Sequence, residues 1–184
     1  GSEMCIRDRC QKEKCLAVGE IGLDYYWPEP DHETQKKWFL RQLELAREIK
    51  KPVIIHSRDA AKDTVDLMTE AHAEEIGGVI HCFSYSAEMA EEYLKMGFYL
   101  GIGGVVTFKN AKKIKEVVQM APMERILLET DSPYLAPVPY RGKRNSSLYL
   151  PYVVREIAEI KGISEEEVIE MTEKNAVRLF QTEE

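Results

Sequence analysis

The sequence predicts an α/β fold, a parallel sheet of about five strands covered by helices, and three observations predict it. Short, continuously apolar runs recur along the chain. Each is followed by a segment with apolar residues at helical spacing, and titratable side chains recur where the apolar runs end. Strands apolar on both faces belong to parallel sheets, whose neighbours need a crossover that a helix supplies. Right-handed crossovers make every strand point the same way, so their carboxyl ends cluster on one face, where such folds keep their chemistry.

Residues 1–15 are polar, carry neither the helix nor the strand period, and open on a Gly-Ser that reads as an expression scar. They are expected to be an unstructured or non-native leader, with 16–184 forming a single domain. The first strand is LAVGEIGLD (16–24), and a helix over 31–50 follows with Phe39, Leu43, Ala46 and Ile49 on one face. PVIIHS (52–57) is the second strand, after which Asp59 is expected to cap a helix running to about Glu75, where Gly77-Gly78 ends it. GVIHCF (78–83), a helix over 87–96, and FYLGIGG (98–104) repeat the unit. A helix over 111–119 leads into ILLETD (126–131), which Pro133 stops. A loop rich in Pro and basic residues precedes a helix over 148–161, and Ser164 with Glu167 forms a capping-box signature that opens the last helix.

Composition narrows the function classes. A formal charge of −7 argues against a protein that coats nucleic acid through its overall field, and any such contact must be local. No apolar run approaches the roughly 18 residues of a membrane span, and a cytoplasmic location without a membrane partner is expected. Cys5, Cys10 and Cys15 match no zinc-ligand spacing and read as free thiols, while Cys82 reads as a small buried hydrophobe within its strand. No obligate protein partner is evident.

Glu20, His56, His81 and Asp131 fall at the ends of four strand units. Each alone has a plain reading: a hydrogen-bonded histidine in a strand, or an aspartate capping a turn. Four at equivalent places are different, because two imidazoles and two carboxylates on one face are the ligand types that hold one or two divalent cations, with a carboxylate able to bridge a pair. Asp24 either caps its loop or orients a ligand from behind. His32 and His72 lie off that face. The skipped unit ends in Gly103-Gly104, which would leave room for a substrate to approach the backbone. The loop after Asp131 packs Arg141, Lys143 and Arg144 beside Tyr140, suited to phosphate oxygens and to stacking on a base, and Arg58 is aimed at the same face unless it pairs with Asp59 or Asp24.

GEIGLDYY (19–26), PVIIHSRDA (52–60), GVIHCFS (78–84), VTFKNA (106–111), ILLETDSPYLAP (126–137) and PYRGKRN (139–145) together resemble the TatD-type metal-dependent deoxyribonucleases, which have amidohydrolase-like barrels. The resemblance runs from about Leu16 to Phe180 and implies a TIM-type (β/α) barrel, two divalent ions, Mg²⁺ or Mn²⁺ in turnover where the imidazole and carboxylate ligands alone would also suit Zn²⁺, and hydrolysis of DNA phosphodiesters from a 3′ end. It implies that Glu20 bridges the ions, that His56 and His81 hold one, and that Asp131 holds the other and takes a proton from the attacking water. Arg141, Lys143 and Arg144 would then hold the nucleic-acid backbone, with Arg58 and Tyr140 as the further contacts that the residues themselves suggest. The family also begins with a strand bearing an H-x-H pair, which residues 1–15 do not contain, so a partial barrel lacking its amino-terminal units, an exposed edge at the first strand, and impaired nuclease activity are expected of the chain. The competing expectations are hydrolysis of a small ester, lactone or amide on the same metals, or a non-catalytic binding module.

Overall fold

A computed structural model describes residues 3–182, so the Gly-Ser read as an expression scar lies outside the described residues. Its centre is a five-stranded sheet in the order β1-β2-β3-β4-β5, with every neighbouring pair parallel. The strands are β1 (Val18–Asp24), β2 (Val53–Arg58), β3 (Gly78–Ile80), β4 (Tyr99–Ile102) and β5 (Ile126–Leu128), the five that the sequence predicts.

Among the described residues the α-helices are α1 (Glu3–Cys10), α2 (His32–Ile49), α3 (Ala61–Glu70), α4 (Ala87–Lys95), α5 (Lys112–Met120), α6 (Leu150–Lys161) and α7 (Glu165–Phe180). Local chemistry sets several of their ends. Asp31 caps α2 by accepting from the Thr34 amide at 2.9 Å. Gly162, at φ 68°, ends α6 in the left-handed conformation that glycine adopts without a Cβ clash. Ser164 and Glu167 close a reciprocal capping box on α7.

Three expectations need correction. Residues 3–10 form α1 rather than an unstructured leader: Ile6 and Cys10, one turn apart, face the core, a pair too short to register as a period. Asp59 does not cap α3, because its backbone is left-handed (φ 54°) and the cap position falls to Ala60, which makes no side-chain cap bond. That helix also ends at Glu70, ahead of a separate 3-10 turn at Ala73–Glu75.

The two faces of the sheet differ. Ile55, Ile80, Leu100 and Ile126 point to the helices and bury with Phe39, Leu43, Met68, Tyr93, Val117 and Ile157 in the main core. On the opposite face Ile54, Val79, Tyr99 and Leu127 form a row that Leu179, Ala176 and Phe180 of α7 partly cover. Buried Asn175 pins α7 beside β5, its amide donating to the Met123 carbonyl at 2.7 Å and the Ile126 carbonyl at 2.9 Å. By the strand's period of two, His56, His81, Gly101 and Glu129 follow that row on the same face, one step nearer the carboxyl edge.

Candidate functional site

Glu20 reaches this face through an irregularity in β1. The β1–β2 register shifts between Val18 and Ile21, so Glu20 stands within the irregular step that precedes the regular pairing of Ile21–Asp24. Gly22 lets the strands close up after it: a Cβ there would lie 1.9 Å from the His56 carbonyl oxygen. The two carboxylate oxygens of Glu20 then face different imidazoles, Oε2 at 3.5 Å from His56 Nδ1 and Oε1 at 3.3 Å from His81 Nε2. Asp131 Oδ1 is also 3.3 Å from His81 Nε2. Four residues from four separate strand units thus meet at one place.

Asp131 arrives differently from the other three. Strand β5 ends at Leu128, the Glu129 amide extends the ladder by bonding the Ile102 carbonyl at 3.1 Å, and Asp131 sits beyond it at φ 53°. Cys82 likewise lies past the end of β3 at φ 46° and is only partly buried, not inside the strand as expected. Burial and the surrounding carboxylates push its thiol pKa up, so it stays protonated.

Each histidine has a second carboxylate on its other edge. An ionised carboxylate only accepts, so His56 Nε2 donates to Asp24 Oδ2 at 3.0 Å and His81 Nδ1 donates to Glu129 Oε2 at 2.8 Å. Asp24 also accepts from the Tyr26 amide at 3.1 Å, so it serves both the loop and the histidine. Glu129 is the site residue that the sequence reading passed over. Its signal was the two-residue period, which puts it on the face of His56 and His81. The space that the glycine strand provides belongs to Glu129 as well: a Cβ on Gly101 would lie 2.3 Å from Glu129 Oε2. Gly103 and Gly104 open no path for a substrate, since Glu129 and the Leu135–Pro137 backbone occupy the space beside them.

Electrostatics follow from these pairs. The bond to Glu129 raises the His81 pKa to about 9 despite burial, helped by the Glu20 and Asp131 carboxylates. His56 is raised first by Glu20, which the same bond lowers. Without a metal, a protonated His81 offsets part of the carboxylate charge at neutral pH. A cation and a proton would compete for the same nitrogens.

The donor set fits a divalent cation in kind. Neutral imidazole and carboxylate are ligands for Zn²⁺ and Mn²⁺, and carboxylate oxygens also suit Mg²⁺. Two ligands on one tetrahedral ion with bonds of about 2.0–2.1 Å stand roughly 3.3 Å apart. The observed 3.3–3.5 Å nitrogen–oxygen separations are close to that edge length. Among the described residues no three such side chains are already arranged to hold an ion, so the donors would have to turn from one another towards it.

The basic loop is tied to this edge by Asn145, which is buried, donates to the Thr130 carbonyl at 2.6 Å and receives the Ser146 amide at 2.8 Å on its side-chain oxygen. Its aromatic residue is engaged, however. Tyr140 stacks on Tyr149 with centroids 4.2 Å apart, and its hydroxyl lies 3.4 Å from that of Tyr152, so one face of the ring expected to receive a base is already covered. Arg141 lies over the Phe108 ring at 4.3 Å and Lys143 lies 5.8 Å from the Tyr140 centroid, while Arg144 is solvent-exposed. Arg58 stacks on Tyr26 at 3.8 Å instead of pairing with Asp24 or Asp59. Glu20 and His56 also open on a cleft of about 490 Å³ whose walls include Trp27 and Trp38.

Comparison with known proteins gives consistent results. A profile describing TatD-related DNases matches residues 2–181. The chain is 51% identical over 175 residues to an uncharacterized metal-dependent hydrolase, YabD, of Bacillus subtilis, covering 95% of the chain and 69% of that protein. It is 33% identical over 183 residues to a protein named 3′-5′ ssDNA/RNA exonuclease TatD of a Rahnella strain, covering 97% and 70%. Among solved structures, YjjV, a TatD homologue from Escherichia coli, superposes with a TM-score of 0.90 at 28% identity, covering all of the chain and 72% of that protein. The chain spans about two thirds of the length of the curated relatives it matches, from 64% to 70%.

Proposed function

The chain belongs to the TatD-related DNase family, and on that premise we propose that it carries the metal site of a hydrolase that cleaves phosphodiester bonds at the 3′ end of single-stranded DNA. One observation carries the reading: the two oxygens of Glu20 face two different imidazoles, at 3.5 Å and 3.3 Å. A carboxylate so shared suits a bridge between two divalent ions, with His56 and His81 as nitrogen ligands and Asp131 as a further oxygen ligand. The substrate class is supported by the Rahnella relative, named a 3′-5′ ssDNA/RNA exonuclease, and by the exposed cations of the basic loop.

Bound divalent ions supply a lowered pKa for water and neutralise charge on the phosphate. The side chains do the rest. Asp131, at the open edge beyond β5, would accept the proton of the attacking water. Asp24 and Glu129 hold the imidazoles in place. Arg144 and Lys143, on a loop anchored by Asn145, would hold the phosphate backbone as charge-assisted donors, and Arg58, its guanidinium stacked on Tyr26, would do the same from the β2 side.

The test is a 3′-labelled single-stranded oligonucleotide incubated with Mg²⁺ or Mn²⁺. Slow, EDTA-sensitive release of 3′ nucleotides that disappears in His81→Ala is expected. Release that survives EDTA or His81→Ala would refute the reading. Hydrolysis of a lactone or ester substrate without any release from DNA would move it to the small-molecule alternative.

A further inference from the structure

The two histidines present opposite ring nitrogens to Glu20, His56 its Nδ1 and His81 its Nε2. Nothing in the strands requires that. Both residues come from parallel neighbouring strands and share one sheet face, so identical orientations would be the simple outcome. The difference lies behind the rings, where Asp24 takes the Nε2 edge of His56 and Glu129 takes the Nδ1 edge of His81.

Glu129 bears the marks of a residue held there for that purpose. Its Oε2 accepts from both His81 and the Cys82 amide, at 2.8 Å and 2.9 Å, while its Oε1 is buried without a hydrogen-bond partner. Burying half a carboxylate unpaired is costly, and Gly101 gives up a side chain to make room for it. Resting on the metal-site reading above, we infer that Asp24 and Glu129 are positioning residues that fix His56 and His81 in opposite tautomers, so that one imidazole offers Nδ1 and the other Nε2 to the cations beside Glu20. A ring held by an acceptor on one edge keeps its proton there and leaves its lone pair on the other.

Long-range ¹H–¹⁵N NMR of protein labelled in histidine reads the protonated nitrogen directly. Spectra would be taken without metal at high pH, where the imidazoles are neutral, and again with Zn²⁺. In both, His56 is expected to carry its proton on Nε2 and His81 on Nδ1. Glu129→Leu should release His81 into a mixture of tautomers and weaken Zn²⁺ binding, followed by calorimetry, by about 10- to 100-fold. Glu129→Gln, which keeps an acceptor in place, should restore the tautomer. Asp24→Ala, at a more open position, makes the parallel test on His56 if the Glu129 variant does not fold. Protons on the same-named nitrogen of both rings, or tautomers and affinity unaltered in Glu129→Leu and Asp24→Ala, would overturn the inference. A wild type with the stated tautomers but no cation binding would support the positioning roles and refute the metal reading. Binding with variant-insensitive tautomers would do the reverse.

Discussion

Replacing His81 by Gln should remove a pH-dependent part of the stability of the metal-free protein. His81 is held at about 9, chiefly by its bond to Glu129, against an ordinary value of 6.5, and its side chain is 18% exposed. At 1.36 kcal/mol per pH unit that gap corresponds to roughly 3 kcal/mol, of which solvent screening at partial exposure leaves about two thirds or more, so about 2–3 kcal/mol. Because the folded-state value is raised, the contribution is complete below pH 6.5 and is lost as pH rises through about 9. Urea unfolding in EDTA at pH 6 and pH 10 measures it: the wild type should lose about 2–3 kcal/mol more than His81→Gln over that interval. Other groups titrate alike in both proteins to first order. An equal loss in the two proteins would refute the argument that His81 is charged and paired in the native state.

Three further outcomes follow from particular contacts. Gly101→Ala places a methyl group 2.3 Å from Glu129 Oε2, and denaturation should register a loss of about 1–3 kcal/mol as the carboxylate is displaced. Asn175→Ala leaves the buried Met123 and Ile126 carbonyls without the donor that joins α7 to β5, a loss of about 1–3 kcal/mol by the same measurement. If Arg144 contacts a phosphate, Arg144→Ala should weaken binding of a single-stranded oligonucleotide alike for all sequences and reduce the salt slope by about 0.7 in fluorescence anisotropy titrations.

The sheet and its five strands were legible because each strand is a short, doubly apolar run, and the helices because Phe39, Leu43 and Ala46 or Val153 and Ile157 repeat at helical spacing. Cap chemistry told the start of α7 through Ser164 and Glu167, where both side chains bond locally. It failed at Asp59, whose left-handed backbone, a conformation that Asp tolerates better than most residues, moves the cap position on to Ala60. The strand-end positions of Glu20, His56, His81 and Asp131 were readable as a series. What holds them was not. Glu129 was visible as a carboxylate beside Asp131, but its bond to His81 crosses 48 positions, and only the folded sheet shows that Gly101 clears its space. Tyr140 misled for a related reason: a ring beside three cations looks available until Tyr149 and Tyr152, on the following helical segment, are folded against it.

Calorimetric titration of the metal-free protein with Mn²⁺, beside Glu20→Gln, decides whether these strand ends hold a metal. Among the described residues Glu20 is the one side chain that faces both His56 and His81, so the wild type should bind and the variant should bind about tenfold more weakly or worse. Absence of binding to the wild type, or equal affinity in Glu20→Gln, would contradict a metal site built on these strand ends.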